Sequence, residues 1–268
     1  MKSIGLIAGN NRFPLLVAQE IKKSGDKVVC IALKEEASAE LEILCDKTFW
    51  ISVGKFQKII DTLKSENVET AIMAGQVKHV KIYSAITMDF RAIKIMGSLI
   101  NKKTDTILKS VADEFAKDNI ELLPSHSYLK HLLAPKGLIT GQKLNSDEIK
   151  NVKFGFKIAK SIASLDIGQS VVVKNSSVLA VESVEGTDEC IKRAYQLGGE
   201  NSIAVKVAKP NQDFRFDVPV IGLQTIDTLK ESKCRALAIE QGATLILDKD
   251  EVVKKANDLN VTLLGFCD

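Results

Sequence analysis

The chain has 268 residues, which is enough for one large domain or for two ordinary domains of roughly 100–200 residues each. Hydrophobic residues make up 45% of the chain and charged residues 26%, a composition that excludes a disordered or fibrous protein. The net charge of +3 does not indicate nucleic-acid binding, and the sequence contains no stripe of aromatic and basic residues that would stack bases.

The cysteines and the apolar stretches indicate the compartment. No Cys-x-x-Cys pair occurs, and the cysteine spacing suits neither a zinc ribbon nor a disulfide framework. The first residues, MKSIGLIAG, run directly into a polar loop and do not resemble a signal peptide. No stretch reaches the ~20 apolar residues of a membrane-spanning helix. We therefore expect a cytoplasmic protein.

The first half of the chain alternates apolar, β-branched runs with amphipathic helical stretches. The predicted strands cover residues 3–9, 27–33 and 70–75, and the predicted helices cover 14–24, 56–67, 82–100 and 105–119. Nearly continuous apolar strands that alternate with helices predict a parallel sheet covered on both faces. We therefore predict a Rossmann-like N-terminal domain over residues 1–132.

The second half has a different rhythm. Residues 133–147 are rich in Gly, Pro and polar side chains and are predicted to be a linker. The elements predicted after it are a helix at 147–164, a hairpin of strands 169–174 and 177–183, a helix at 188–197, a strand at 202–209 and two strand–helix units. Residues 148–268 are thus predicted to form a mixed α/β C-terminal domain.

Two places in the first half are candidate binding positions, because open α/β sheets bind ligands at the carboxyl ends of their strands. Gly9 and Asn10 follow the first predicted strand, and Gly75 and Gln76 follow the third. The first loop lacks the G-x-G-x-x-G pattern, which disfavours a dinucleotide site. An ordinary tight turn explains the same glycines equally well.

The stretch KPNQDFRFDVPVIG, residues 209–222, alternates charged and apolar side chains. If it is extended, Asp213, Arg215 and Asp217 lie on one face, about 6.5 Å from one to the next, a span that a divalent ion and a phosphate can fill. Pro210 and Pro219 limit strand pairing, so the segment is either an edge strand or a structured loop. A solvated Asp–Arg–Asp ion pair is the alternative to a binding site.

Further charged residues surround this stretch in the sequence. Glu185, Thr187 and Asp188 precede a predicted helix, although helix capping by Thr187 or Asp188 explains them as well. The others stand near predicted strand ends: Asp166, Glu182, Lys206 and Lys209. Carboxylates supply the hard oxygen ligands that Mg²⁺ prefers, and lysines neutralise phosphate charge.

Long stretches of the second half form a specific pattern: LDIGQSVVV, VLAVESVEGTDECIKRA and VKVAKPNQDFRFDVPVIGLQTI. Shorter motifs of the first half are IGLIAG, MAGQV and DTILKSVADEF. With these motifs the chain resembles the LpxI-type UDP-2,3-diacylglucosamine pyrophosphatases of lipid A biosynthesis over nearly its whole length. It departs from them after IAG, where the family usually has further glycine and this chain has Asn10, Asn11 and Arg12.

The resemblance implies hydrolysis of UDP-2,3-diacylglucosamine to UMP and 2,3-diacylglucosamine 1-phosphate (lipid X). It also implies a need for Mg²⁺ or a similar divalent cation, and two linked domains with the lipid substrate between them. Carried over residue by residue, it makes Asp217 the essential catalytic carboxylate and Asp213 the second catalytic candidate. The implied metal ligands are Asp217, Glu185 and Asp188. The implied diphosphate contacts are Thr187, Lys206, Lys209, Gln212 and Arg215. Gly9, Asn10, Gly75 and Gln76 stay candidate substrate-binding residues because of their place after the predicted strands.

The predicted partners follow from the lipid-linked nucleotide-sugar substrate. Residues 82–100 place apolar side chains near one helical face within basic surroundings, as in a helix that contacts the inner membrane: Ile82, Ile86, Ile93, Met96 and Ile100. A core-facing amphipathic helix is the alternative. No nucleic-acid partner is expected, and a homodimer is a candidate assembly. The rival functions are a nicotinamide-dependent oxidoreductase and a non-catalytic nucleotide-sugar binding protein.

Overall fold

The structure of the protein is a computed structural model that describes residues 1–34, 36–77, 88–97 and 104–268. The chain divides into two units. Unit 1 contains Met1–Leu129 together with Asp213–Asp217, and unit 2 contains Lys130–Gln212 together with Val218–Asp268. The short segment Asp213–Asp217 therefore interrupts unit 2 in sequence but belongs to unit 1.

Unit 1 is built on a parallel sheet. Its strands in the described residues are β1 (Ser3–Ala8), β2 (Lys27–Leu33), β3 (Lys47–Ile51), β4 (Thr70–Ala74) and β5 (Glu121–Leu123). They pair only in parallel, in the order β3-β2-β1-β4-β5. In this order, characteristic of doubly wound folds, the winding direction reverses between β1 and β4. The prediction of a Rossmann-like parallel sheet is confirmed.

Helices connect these strands. They are α1 (Phe13–Lys23), α2 (Leu41–Leu44), α3 (Phe56–Ser65), α4 (Phe90–Gly97) and α5 (Thr104–Lys117). Helix α1 begins with Pro14 in its first turn, where the missing N–H of proline is not needed. The buried side chains of α3 and α5 pack with the strands into one apolar core, in which the rings of Phe56 and Phe115 meet edge to face at 4.9 Å.

The prediction of one long helix over residues 82–100 is wrong for the residues that are described. Met88 and Asp89 are not helical, and α4 begins at Phe90. The cause is Asp89, whose Oδ1 accepts the Ala92 amide at 2.9 Å and whose Oδ2 accepts the Gln57 amide at 2.7 Å. An aspartate that satisfies an unpaired amide of the first turn starts a new helix. Residues 82–87 and 98–100 of this prediction lie outside the described residues.

Unit 2 contains a mixed sheet, as predicted. Within the described residues six strands follow the order β6-β13-β11-β9-β7-β8, and β10 pairs separately with β12. The strands are β6 (Gly137–Thr140), β7 (Ser170–Lys174), β8 (Ser177–Val181), β9 (Ile203–Lys206), β10 (Val220–Ile221), β11 (Ala236–Glu240), β12 (Leu245–Ile246) and β13 (Thr262–Phe266). The helices are α6 (Ser146–Ser164), α7 (Thr187–Gly198), α8 (Leu223–Glu231) and α9 (Lys249–Asp258).

The two faces of this sheet carry two separate apolar cores. Along β7, Val172 points to one core, and Val171 and Val173 point to the other, because alternate side chains of a strand face opposite sides. Strands β7 and β8 are antiparallel and form the predicted hairpin. Its turn residues Asn175 and Ser176 have φ of 49° and 59°, as a two-residue hairpin with the favoured twist requires.

The predicted linker at 133–147 differs from the observed structure. Strand β6 lies within it and pairs antiparallel with β13, and the Thr140 hydroxyl donates to the Val261 carbonyl at 2.9 Å. Asn145 then caps α6 in a reciprocal arrangement with Glu148. A four-residue strand between Gly- and Pro-rich turns has no period long enough to be recognised, so the composition indicated a loop.

The reversal point between β1 and β4 depends on glycine. Gly75 directly follows β4 with a φ of +86°, and a Cβ there would lie 2.4 Å from the Asn10 carbonyl oxygen. Gly9 is equally constrained, since its Cβ would lie 2.4 Å from the Gln76 carbonyl oxygen. The two loops approach so closely that neither position has room for a side chain.

We expect Gly75→Ala to reduce the free energy of unfolding by about 3 kcal/mol, from the left-handed backbone and the collision together. Gly25→Ala is the matched control, because Gly25 has a φ of +88° but no atom within 4 Å of the position that a Cβ would take. It should cost only about 1–2 kcal/mol. Urea unfolding followed by the fluorescence of Trp50, the single tryptophan, reports on unit 1. Equal losses in the two variants would show that the close approach contributes nothing.

Candidate active site

The segment predicted to carry the chemistry forms a tight turn in unit 1. Residues 214–216 adopt turn geometry, and the amides of Phe216 and Asp217 both donate to the Asp213 carbonyl, at 3.1 and 3.4 Å. The edge-strand prediction for 212–218 is therefore wrong, and the structured-loop alternative is the one observed. The cause is the Asp213 carboxylate, which accepts the Arg215 amide at 3.1 Å and so stabilises a turn over a strand.

The same carboxylate also forms an ion pair. Nη2 of Arg215 lies 2.6 Å from Oδ2 of Asp213, and Nε lies 2.9 Å from Oδ1. This hydrogen-bonded partner lowers the pKa of Asp213, against the opposing effect of burial, and the pairing raises the pKa of Arg215. The pair thus persists at neutral pH and is lost only as pH falls through the lowered pKa. Asp213 and Arg215 thus form the ion pair that was the alternative to a binding site, in which each partly neutralises the other, and Asp217 is exposed at the end of the turn.

The aromatic residues of the turn anchor it in unit 1. The Phe214 ring meets the His126 ring edge to face, with centroids 5.0 Å apart. Phe216 packs against the apolar core of unit 1, and the Arg215 guanidinium lies over its ring at 5.0 Å. The two phenylalanine rings therefore attach the turn to unit 1, and its polar side chains lie on the other side of the turn.

A polar network in unit 2 connects four residues around one hydroxyl. Thr187 Oγ1 accepts from Lys206 Nζ at 2.6 Å and donates to Glu182 Oε1 at 2.9 Å, with Ser170 Oγ at 3.2 Å. Lys206 and Glu182 are only 8% and 9% exposed. Buried charges are costly unless they are hydrogen-bonded, so the hydroxyl compensates both charges at once.

This network corrects the capping prediction for α7. The residue that caps the helix is Gly186, and Thr187 is the first helical residue, so its hydroxyl serves the buried charges instead of a backbone amide. Asp188 lies in the first turn of the helix, as predicted for a residue near its N-terminus. A helix N-terminus beside a lysine and a hydroxyl is an arrangement that favours phosphate.

The other predicted residues of unit 2 have local partners. Arg193 Nη2 donates to Glu185 Oε1 at 2.6 Å, which lowers the pKa of Glu185. Lys209 Nζ lies 2.5 Å from Asp166 Oδ1. The Lys209 amide donates to Gln212 Oε1 at 3.0 Å, and the Gln212 amide donates to the Lys209 carbonyl at 3.1 Å. Ion pairs with one exposed partner contribute little to stability, so Lys209 can exchange Asp166 for another anion.

The two candidate loops of unit 1 lie next to each other. Asn10 and Gln76 make an isolated β-bridge, and the Asn10 amide donates to the Gln76 carbonyl at 2.9 Å. Gly9, Asn10, Gly75 and Gln76 therefore lie together at the carboxyl ends of β1 and β4, the position at which doubly wound sheets bind ligands. Asn10 Nδ2 also donates to Glu36 Oε2, at 3.1 Å.

An apolar cavity of about 140 Å³ lies within unit 1. Its lining comes from the strands β1, β2 and β4 and from the helices α3, α4 and α5, and includes Met73, Val77, Met96 and Leu108. Of the two residues that the sequence places near one helical face, Met96 lines the cavity, while Ile93 is 52% exposed. Helix α4 is packed on one side, through Ala92 and Ile95, and exposes Phe90 and Ile93 on the other. Ile82, Ile86 and Ile100 lie outside the described residues.

The predicted metal ligands do not form a preformed cage. In the described ranges, 1–34, 36–77, 88–97 and 104–268, no group of three or more His, Cys, Asp or Glu side chains could hold a metal ion. Asp217 belongs to unit 1, whereas Glu185 and Asp188 belong to unit 2. Mg²⁺ commonly binds through one or two carboxylates plus substrate phosphates, and the exposed Asp217 carboxylate fits that role.

Two serines of these arrangements were missed by the sequence analysis. Ser170 begins β7 and joins the network around Thr187, and Ser125 contacts the 213–217 turn from a loop. A polar residue directly before a buried apolar run, as in Ser170 before VVV, does mark a strand end. Ser125 gives no such signal, because its partner is 90 residues away in sequence.

Family models match both halves of the chain: the LpxI N-terminal domain matches residues 3–132, and the LpxI C-terminal domain matches residues 135–264. The UDP-2,3-diacylglucosamine pyrophosphatase LpxI of Caulobacter vibrioides is 30% identical over 276 residues, which cover 99% of this chain and 98% of that protein.

Solved structures give weaker similarities. Phosphoribosylglycinamide synthetase from Anaerococcus prevotii has a TM-score of 0.27 at 12% identity, over 75% of this chain and 44% of that chain. A biotin carboxylase complex from Campylobacter jejuni has a TM-score of 0.30 at 14% identity, over 73% of this chain and 42% of that chain. This chain thus spans less than half of those proteins, and similarities at this level support no conclusion.

The fold and the site define a two-unit α/β protein in which carboxylates and lysines lie at sheet ends and at a helix N-terminus. Both domain models and the full-length relative then identify the family. The chain belongs to the LpxI family.

We expect Thr187→Ala to reduce the free energy of unfolding by about 1–3 kcal/mol, because it removes a hydrogen-bond partner of two buried charges. Thr187→Ser keeps the hydroxyl and should cost less than about 1 kcal/mol. Urea unfolding followed by circular dichroism measures both. A Thr187→Ala variant as stable as Thr187→Ser would contradict the role of the hydroxyl.

Proposed function

We propose that this chain hydrolyses the diphosphate bond of UDP-2,3-diacylglucosamine and releases UMP and lipid X, in lipid A biosynthesis. The observation that carries the proposal is the match of both LpxI domain models to a chain that also aligns end to end with a pyrophosphatase of that name. A nicotinamide-dependent oxidoreductase is disfavoured, because the loop after β1 lacks the second and third glycines of the dinucleotide pattern. An assay of UMP release distinguishes this activity from that of a binding protein without catalysis.

Charge neutralisation is the first task of such an enzyme, because a diphosphate diester carries about two negative charges that repel a nucleophile. Lys206 and Thr187, at the N-terminus of α7, are assigned to one phosphate. Lys209 and Arg215 are assigned to the same task, with Gln212 as a hydrogen-bond donor. Each lysine or arginine already has a partner, which the substrate phosphate replaces or joins.

Asp217 is assigned to the reacting water. Its carboxylate either takes a proton from the water as general base or holds a divalent cation. A bound Mg²⁺ would neutralise phosphate charge and lower the pKa of a coordinated water. Glu185 and Asp188 stay secondary candidates for the cation, and Asp213 orients the turn through Arg215.

The remaining parts of the substrate have candidate positions in unit 1. Gly9, Asn10, Gly75 and Gln76 offer backbone groups to the nucleotide at the reversal point between β1 and β4. The apolar cavity is assigned to an acyl chain. Its volume of about 140 Å³ is close to that of an engineered cavity of about 150 Å³ that holds benzene, so it receives the end of one chain.

We expect Asp217→Asn to lower kcat for UMP release from UDP-2,3-diacylglucosamine by at least 100-fold, within the range of about 10²–10⁴ for general acid–base catalysis. Asp258→Asn, an exposed carboxylate in α9, is the control and should stay within about twofold. In water enriched in heavy oxygen, the label is expected in lipid X, because the family resemblance favours attack at the sugar-side phosphorus. Absence of UMP release by the wild-type enzyme with Mg²⁺ would favour the binding-protein alternative.

The proposed location is the cytoplasmic face of the inner membrane, where the lipid substrate resides. The described residues include no helix with the length and hydropathy to cross a membrane. Phe90 is 83% exposed and Ile93 52%, and Lys94 is exposed beside them, so the three share one face of α4. An exposed aromatic and an aliphatic residue next to a lysine favour contact with anionic lipid. A homodimer also belongs to the proposal and is measured by light scattering.

We expect the wild-type enzyme to pellet with vesicles that contain anionic phospholipid, and the double variant Phe90→Asp/Ile93→Asp to lose most of this binding. The matched control is Ile43→Asp in α2, which removes another exposed aliphatic residue of unit 1, 87% exposed. Equal binding of all three proteins would exclude the α4 face as the membrane contact.

A further inference from the structure

Ser125 lies between two distant parts of unit 1. It follows β5 and is only 1% exposed. Its Oγ lies 2.8 Å from the Met73 carbonyl oxygen in β4 and 3.0 Å from the Arg215 carbonyl oxygen in the turn. Its backbone amide donates to the Phe214 carbonyl at 2.6 Å. A single serine thus contacts two consecutive peptide groups of the turn and one strand of the sheet.

These contacts act on the backbone that leads directly to Asp217. The turn carbonyls that Ser125 contacts belong to Phe214 and Arg215, and Phe216 alone separates Arg215 from Asp217. Few rotatable bonds separate these carbonyls from the Asp217 side chain. The position of the carbonyls therefore largely determines the direction of that side chain. The Phe216 and Asp217 amides are already bound to the Asp213 carbonyl within the turn.

Besides Ser125 and the hydrogen bonds within the turn itself, two aromatic contacts attach the turn to unit 1. The Phe214 ring meets His126, and Phe216 packs against the core. A buried hydrogen bond adds a defined length and direction to this packing. Ser125 therefore connects the backbone of the turn to β4.

We propose that Ser125 is a positioning residue that holds the Asp217 carboxylate at the place where it acts on the reacting water. This inference rests on the proposed function, because Asp217 is the carboxylate assigned to catalysis there. Loss of the Ser125 hydroxyl leaves the aromatic contacts and the Ser125 amide bond to the Phe214 carbonyl in place, but it removes the contact with the Arg215 carbonyl, which is the nearer of the two to Asp217. A displacement of about 1 Å at a reacting group can cost about 100-fold in rate.

The test is a double-mutant cycle on Ser125 and Asp217, assayed by UMP release from UDP-2,3-diacylglucosamine with enzyme in excess so that slow cleavage is detected. We expect Ser125→Ala to lower kcat about 10- to 100-fold while KM changes less than about threefold. In the Asp217→Asn background the same change should cost less than about twofold, because a residue that acts through Asp217 has nothing left to position. Ser125→Cys, with a weak donor of similar shape, should fall between serine and alanine.

Ser127→Ala is the matched control, since the Ser127 hydroxyl donates to the Pro124 carbonyl at 2.6 Å within the same loop. It should keep wild-type kcat and KM. Thermal melting confirms that each variant is folded, and if Ser125→Ala does not fold, Ser125→Cys carries the cycle.

The outcomes separate this inference from the proposed function. Equal loss in both backgrounds, or no loss at all, overturns the positioning role while an inactive Asp217→Asn enzyme leaves the proposed function standing. Full turnover by Asp217→Asn overturns the positioning role and the assignment of Asp217 to the reacting water, whereas absence of UMP release by the wild-type enzyme overturns the proposed function itself.

Discussion

The hydrogen bond from the Arg215 amide to the Asp213 carboxylate decides the shape of the candidate site. It keeps residues 213–217 in a turn, although their alternating sequence is suited to a strand. In a strand, Asp213, Arg215 and Asp217 would face the same side. In the turn, Asp213 and Arg215 neutralise one another and Asp217 is exposed at the end. The distribution of charge that the proposed reaction needs follows from this one local competition between a side chain and the backbone.

In unit 2, a single hydroxyl compensates two buried charges. Lys206 and Glu182 are both buried. The desolvation of a buried ion costs on the order of several kcal/mol unless polar groups surround the ion. The Thr187 hydroxyl accepts from one and donates to the other. Because it also opens α7, the same residue brings a cation, a hydroxyl and a helix N-terminus close to each other, the combination that phosphate binding requires.

The sequence allowed the sheet architecture to be predicted, because apolar β-branched runs with helices between them leave few alternatives. It did not predict β6, which is four residues long and lies between Gly- and Pro-rich turns. It placed a helix across Asp89, since the helical period does not reveal that an aspartate will cap a new helix. The contacts of Ser125 and Ser170 were out of reach for another reason: each depends on residues brought together only by the folded chain, 90 and 17 positions apart.

Within the site, residue types were easier to predict than their partners. Composition indicated which side chains are acidic or basic, and the family resemblance indicated which of them matter. Neither could indicate that Glu185 is paired with Arg193 or Lys209 with Asp166. Residues 213–217 belong to unit 1, and this affects any experiment that divides the enzyme into fragments. A half-chain that starts at Lys130 would contain Asp217 without its anchors, and a half-chain that stops at Leu129 would contain the anchors alone, so fragments made at the domain boundary should be combined, never assayed singly.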